Sequence, residues 1–170
     1  GTDYIDLVLV HQPFGDYYGT YRALERAYTE GTVRAIGVSN FYQDKFYDLA
    51  HHCRIIPMVN QLEANVFSQQ TEMREMMNEY GTKAMAWGPI AQGKENFTEN
   101  EVLTETGKSY GKTAVQTALR FLAQEGIPAI PKSSKAERMK ENIDISDFEF
   151  TEEEMNSLRA LNKADGGTRD

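Results

Sequence analysis

Cys53 is the one cysteine in 170 residues, so no disulfide can close within the chain, and a reducing compartment suits it. Long apolar runs are missing as well. None approaches the roughly 20 residues of a membrane span, and the N-terminus lacks the charged-then-apolar form of a signal peptide. Basic residues are outnumbered, with 18 Lys and Arg against 26 Asp and Glu and a net charge of −8. That excess argues against a nucleic-acid or anionic-membrane surface, and a bound anion would need a local cationic site. The phosphate fingerprint GxGxxG occurs nowhere. Together these absences predict a soluble, cytoplasmic protein with no nucleic-acid partner and no membrane partner. The opening GTDYIDLVLV also lacks an initiating Met and enters a buried-strand pattern within four residues, as a fragment would.

What is present is an alternation of strands and helices. Tyr4 to Val10, Val33 to Val38 and Lys83 to Trp87 read as strands buried on both faces; Met58 to Leu62 and the short Ala129-Ile130 make a fourth and a fifth. Helical patterns lie between them, over Tyr18 to Thr29, Gln43 to His52, Gln69 to Tyr80 and Thr113 to Gln124. Two later helices carry start signals, the capping boxes Ser134-Lys-Ala-Glu137 and Thr151-Glu-Glu-Glu154. The expected organisation is a single domain over residues 1–170, with a loose tail over 163–170. Alternating elements imply a parallel sheet. Five repeats in 170 residues keep the cadence of a (β/α)₈ barrel, in which about 250 residues make eight units. An open doubly wound sheet competes, although its usual fingerprint is absent.

In a barrel the chemistry gathers at the C-terminal ends of the strands. Those ends read His11-Gln12-Pro13, Ser39-Asn40-Phe41, Asn60-Gln61-Leu62-Glu63, Trp87-Gly88-Pro89 and Pro131-Lys132-Ser133. Taken singly, each has a structural explanation: a histidine satisfied by backbone, a helix cap, a core indole. Lys132, Ser133 and Arg138 are more specific, because they cluster at a helix start where free N–H groups and the helix dipole favour an anion. Glu141 and Asn142, one turn on, are placed to read a sugar or base attached to that phosphate. No metal site is expected, since the consecutive His51, His52 and Cys53 diverge on a helix. The Met73 to Met77 stripe reads as packing.

Five ordered segments, YIDLVLVHQP, ALERAYTEGTVRAIGVSNF, VNQLEANVF, AWGPIAQG and IPKSSKAERMKENIDISDFEF, resemble the aldo-keto reductases. The resemblance implies a parallel (β/α)₈ barrel, here about five units of eight corresponding to strands four to eight, and NADPH-dependent reduction of aldehydes and ketones to alcohols. It gives His11 the place of the family's catalytic histidine, which orients and polarises the carbonyl. Ser39, Asn40 and Gln61 match positions that hydrogen-bond the nicotinamide carboxamide, and Trp87 matches an aromatic, usually Tyr, that stacks on the ring. Gly88 and Ile90 match backbone positions along the pyrophosphate. Lys132, Ser133 and Arg138 match the group holding the 2′-phosphate of NADP(H), and Glu141 and Asn142 match the adenine contacts.

Two departures accompany the match. Asn65 and Val66 stand where family members commonly carry a His, and none of the nine tyrosines matches the family's catalytic tyrosine. The family's Asp, Tyr and Lys fall in strands that would precede Gly1. The expectations are therefore an inactive fragment that needs an N-terminal part or self-associates, with a small-molecule carbonyl as substrate. The alternative is a non-catalytic nucleotide-binding or scaffold protein on the same partial barrel.

Overall fold

The structure, a computed structural model, describes residues 1–93 and 96–163. Beyond Lys163 the expected tail lies outside the described residues. Two compact units are defined, Gly1–Leu62 with Thr71–Met85, and Glu63–Gln70 with the residues from Ala86 onward.

From the N-terminus, strands and helices alternate as the apolar pattern requires: β1 (Val8–Val10), α1 (Tyr17–Thr29), β2 (Ile36–Ser39), α2 (Gln43–His52), β3 (Val59–Glu63), α3 (Thr71–Glu79) and β4 (Lys83–Trp87). The strands form one sheet in the order β1-β2-β3-β4. Val8 pairs in parallel with Ile36 and Val10 with Val38, while Gly37 pairs with Val59 and Ser39 with Gln61. Side chains from α1, α2 and α3 bury against the sheet. Tyr21, Ile36, Val38, Phe46, Leu62 and Met77 are at most 1% exposed, and Met73 and Met77 do pack as the stripe suggests.

Strand boundaries differ from the sequence expectation. The first strand is shorter than Tyr4 to Val10 because Tyr4 instead stacks under the Arg34 guanidinium, 3.3 Å from its ring centre, and Ile5 makes only an isolated bridge to Val33. The second begins at Ile36 because Thr32 and Val33 donate to the Ala27 carbonyl and close the end of α1. Gly37 lies where two strands meet closely: a Cβ there would overlap the Val59 carbonyl oxygen and crowd Leu9.

The second unit holds α4 (Glu101–Lys108), α5 (Ala114–Gln124), α6 (Ala136–Ile143) and α7 (Glu152–Arg159). Helix α4 has no counterpart in the sequence reading, since EVLTETGK buries only Leu103 and Gly107; Asn100 caps it by accepting from Leu103 N at 3.1 Å. Thr151 forms its capping box with Glu154 as expected, and Thr113 forms a second with Gln116. The Ser134 box is not formed. Instead Ser133 Oγ accepts from Lys135 N at 3.1 Å, and α6 starts at Ala136 without a side-chain cap. Ala129 makes a single parallel bridge to Ala86, flanked by Pro128 and Pro131, neither of which has an N–H to extend a ladder.

Candidate active site

The C-terminal ends of β1, β2 and β3 bring four of the expected residues together. Ser39 ends β2 and is buried; its hydroxyl donates to the Gln61 carbonyl oxygen at 3.0 Å. Asn40 continues the same seam, its backbone N–H donating to that carbonyl at 2.9 Å. Its side-chain amide donates to Ser39 Oγ at 3.1 Å and to the His11 carbonyl oxygen at 3.3 Å. One residue thereby ties three strand ends. Asn40 does so at φ 61°, a left-handed conformation that asparagine tolerates better than most side chains.

Neighbouring side chains fix this rim from behind. Asn60 is fully buried, and its amide donates to the Phe41 carbonyl at 2.6 Å, holding the exit of β2. The period of two along β3 then turns Gln61 to the opposite face, where it is half-buried and its Nε2 sits 3.2 Å from Met85 Sδ. His11 is exposed, and its ring makes no hydrogen bond among the described residues. An imidazole free at the mouth of parallel strands can donate to or accept from an added oxygen.

Other expected residues lie in the second unit. Trp87 closes β4, half-buried, with its carbonyl accepting from Ala64 N at 3.1 Å. Gly88 follows at φ 62°, which glycine adopts without strain, and Ile90 accepts from Gly93 N at 2.9 Å. Lys132 and Arg138 are exposed, and neither side chain has a hydrogen bond or ion pair among the described residues. Glu141 Oε1 accepts from Thr113 Oγ1 at 2.6 Å. Asn142 faces a cavity of about 360 Å³ with Leu119, Ala123, Pro131 and Ile145.

Some features escaped the sequence reading. Asn65 is buried, and its Oδ1 accepts from Phe67 N and Ser68 N at 3.0 and 3.2 Å, so the residue standing in place of the family His closes a turn. Lys112 Nζ is held by Asp144 and Asp147 at 2.9 and 2.8 Å. The Asn65 turn is a local Asx arrangement, whereas no local spacing marks the Lys112 cluster. Among the described residues no His, Cys, Asp and Glu cluster could hold a metal, and no helix is long and apolar enough to cross a membrane. Burial, aided by the nearby Glu25 charge, pushes the half-buried Cys53 thiol up to about 11, which fits an unreactive cysteine.

Parallel strands alternating with helices and ending in a shared polar rim define the α/β-barrel class. The chain belongs to the aldo/keto reductase family, whose model matches residues 1–163. It is 44% identical over 162 residues to the glyoxal reductase of Bacillus subtilis, an alignment covering 95% of this chain and 58% of that protein. An aldo-keto reductase from a Medee basin deep-sea metagenome library superposes with a TM-score of 0.91 at 37% identity, covering 100% of this chain and 62% of that one. A Bombyx mori aldo-keto reductase in complex with NADP superposes with a TM-score of 0.85 at 32% identity, covering 95% and 58%. The chain thus spans about 58% of the length of the curated relatives it matches.

Proposed function

We propose that the chain forms strands four to eight of an NADPH-dependent reductase of aldehydes and ketones, with residues 1–170 acting as one domain. The observation that carries this reading is the His11, Ser39, Asn40 and Gln61 seam at the strand ends. Its donor set suits a nicotinamide, since a carboxamide both gives and accepts hydrogen bonds, and the rim offers a hydroxyl and two side-chain amides. Lys132 and Arg138, cationic and unpaired in an acidic chain, suit a 2′-phosphate; Ser133 adds a hydroxyl beside them. Trp87 offers a ring face, Gly88 and Ile90 offer backbone, and Glu141 and Asn142 stand toward the adenine.

Bound there, NADPH supplies hydride to the carbonyl carbon. His11 would hold the carbonyl oxygen through its free ring nitrogen. Proton donation is assigned to a tyrosine supplied by polypeptide beyond these residues, because none of the nine tyrosines matches the family's catalytic tyrosine; Tyr17 and Tyr18 are moreover committed to Asp48, Tyr21 to the Ile55 carbonyl and Tyr110 to Glu154. The chain alone is therefore inactive. Exposed Phe14 and Ile143, at 76% and 79%, support self-association or docking of that further segment. A cytoplasmic setting suits the free thiol of Cys53.

Titrating NADPH and following its fluorescence tests the reading. Saturable binding is expected, weakened at least tenfold by Arg138→Ala, with NADH nearly insensitive to the substitution. Binding unchanged by Arg138→Ala removes the 2′-phosphate assignment. Turnover of a reactive aldehyde by the chain alone overturns the need for an outside tyrosine. Cofactor binding with no turnover, even when the further segment is supplied, favours a non-catalytic scaffold.

A further inference from the structure

A second cationic site lies at the other end of the strands. Arg22 and Arg26, one turn apart on α1, and Arg54, two residues beyond α2, line a cleft of about 450 Å³ together with Glu25, Glu30 and Ile55. The cleft opens beside the connections leading into β2 and β3, whereas His11, Ser39 and Gln61 stand at or beyond the opposite ends of their strands.

The floor of the cleft is built. Glu25 is 6% exposed, and its Oε1 accepts from Arg54 N at 2.6 Å and Ile55 N at 2.9 Å. Tyr21 donates to the Ile55 carbonyl at 3.0 Å from the same helix. Two backbone donors already meet the Glu25 charge, and its Oε2 carries no hydrogen bond among the described residues.

The three guanidinium groups are treated differently. None has a hydrogen bond or ion pair among the described residues, although acidic side chains outnumber basic ones by 26 to 18. Arg138 is open as well, but Arg34 is engaged with Asp6, Arg159 with Glu125 and Glu152, and Arg120 with Gln124 and the Ile145 carbonyl. Like charges at i, i+4 disfavour a helix. Arg26 gains from the C-terminal dipole of α1, but Arg22, nearly two turns before the helix end, does not. Three forked donors left open on a rigid floor match an anion that can take paired N–H bonds.

We propose that this cleft binds a small phosphomonoester bearing a free hydroxyl. The arginines take the phosphate oxygens, and the hydroxyl donates to Glu25 Oε2. Against three guanidinium charges stand the two carboxylates of Glu25 and Glu30, so the lining carries a net positive charge in a chain of net −8. A dianion suits that balance.

Calorimetric titration with glycerol 3-phosphate, at low and matched ionic strength, tests the assignment. Saturable binding is expected, at least tenfold weaker in Arg54→Ala, intermediate in Arg54→Lys and unchanged in Arg138→Ala. Inorganic phosphate should bind several-fold more weakly than the ester. Amide resonances of Arg54 and Ile55 should shift on titration. Absence of saturation, or equal affinity in Arg54→Ala with its melting temperature unchanged, overturns the site. Equal affinity for the ester and for phosphate overturns the part assigned to Glu25.

Discussion

The Thr113 hydroxyl donates to Glu141 Oε1 at 2.6 Å while accepting from Gln116 N at 3.3 Å. A residue expected at the adenine therefore also holds the N-cap of α5. Glu141→Ala should lower stability by about 1 kcal/mol, the usual worth of such a hydrogen bond, in chemical denaturation without cofactor. Any loss of NADPH affinity beyond that is the part owed to the adenine. An unchanged midpoint would show that Thr113 caps α5 unaided.

Asn40 combines a left-handed backbone with a bridging amide. Asn40→Ala removes the amide and keeps a Cβ at φ 61°, without the polar side chain that lets asparagine tolerate that region, whereas Asn40→Gly removes amide and Cβ together. The alanine variant should be less stable than the glycine variant by about 1 kcal/mol. Both should weaken NADPH binding to a similar degree, because both lose the bonds to the His11 carbonyl and Ser39.

Gly37 admits no side chain. Gly37→Ala should destabilise the first unit by about 1–3 kcal/mol, the range for overpacking a filled core, since the added carbon meets the Val59 carbonyl across the β2–β3 ladder. Gly126→Ala is a useful contrast: nothing stands near its Cβ, and any loss there comes from its φ of 72°. A wild-type melting temperature for Gly37→Ala would contradict the register.

Lys112 and Asp147 shift each other in opposite directions. Hydrogen bonding from Lys112 holds the Asp147 carboxyl below its ordinary 3.8, and Asp147 followed by Asp144 raises the ammonium above its ordinary 10.5. The carboxylate's contribution is thus present above pH 3.8 and lost as pH falls through its lowered value; the lysine's is present below pH 10.5 and lost as pH rises through its raised one. Melting temperatures of wild type and Asp147→Asn should differ most between these limits and converge at both extremes. A constant difference across the range would show that the pair does not titrate with folding.

Much of this was legible in order along the chain. Helix α2 begins and ends where its apolar spacing places it, β4 likewise, and the Thr151 box forms as written. Where local signals compete, reading them in sequence failed. Ser133 Oγ accepts from Lys135 N while α6 starts at Ala136 with no Ser134 box, and Tyr4 left its strand for Arg34. Both outcomes turn on which of two adjacent groups reaches a partner first, which periodicity does not encode.

By itself the sequence determined the alternation of parallel strands and helices, the residues at the strand ends and the family motifs, because these depend on side-chain period and nearest neighbours. The tertiary structure alone decided that Asn40 joins His11 to Ser39, that Glu141 holds Thr113, and that Arg22, Arg26 and Arg54 share a cleft. The reason is physical. Most of these contacts span some 28 to 32 residues of chain, so they exist only once sheet register and helix packing fix the distance between groups that the sequence leaves far apart.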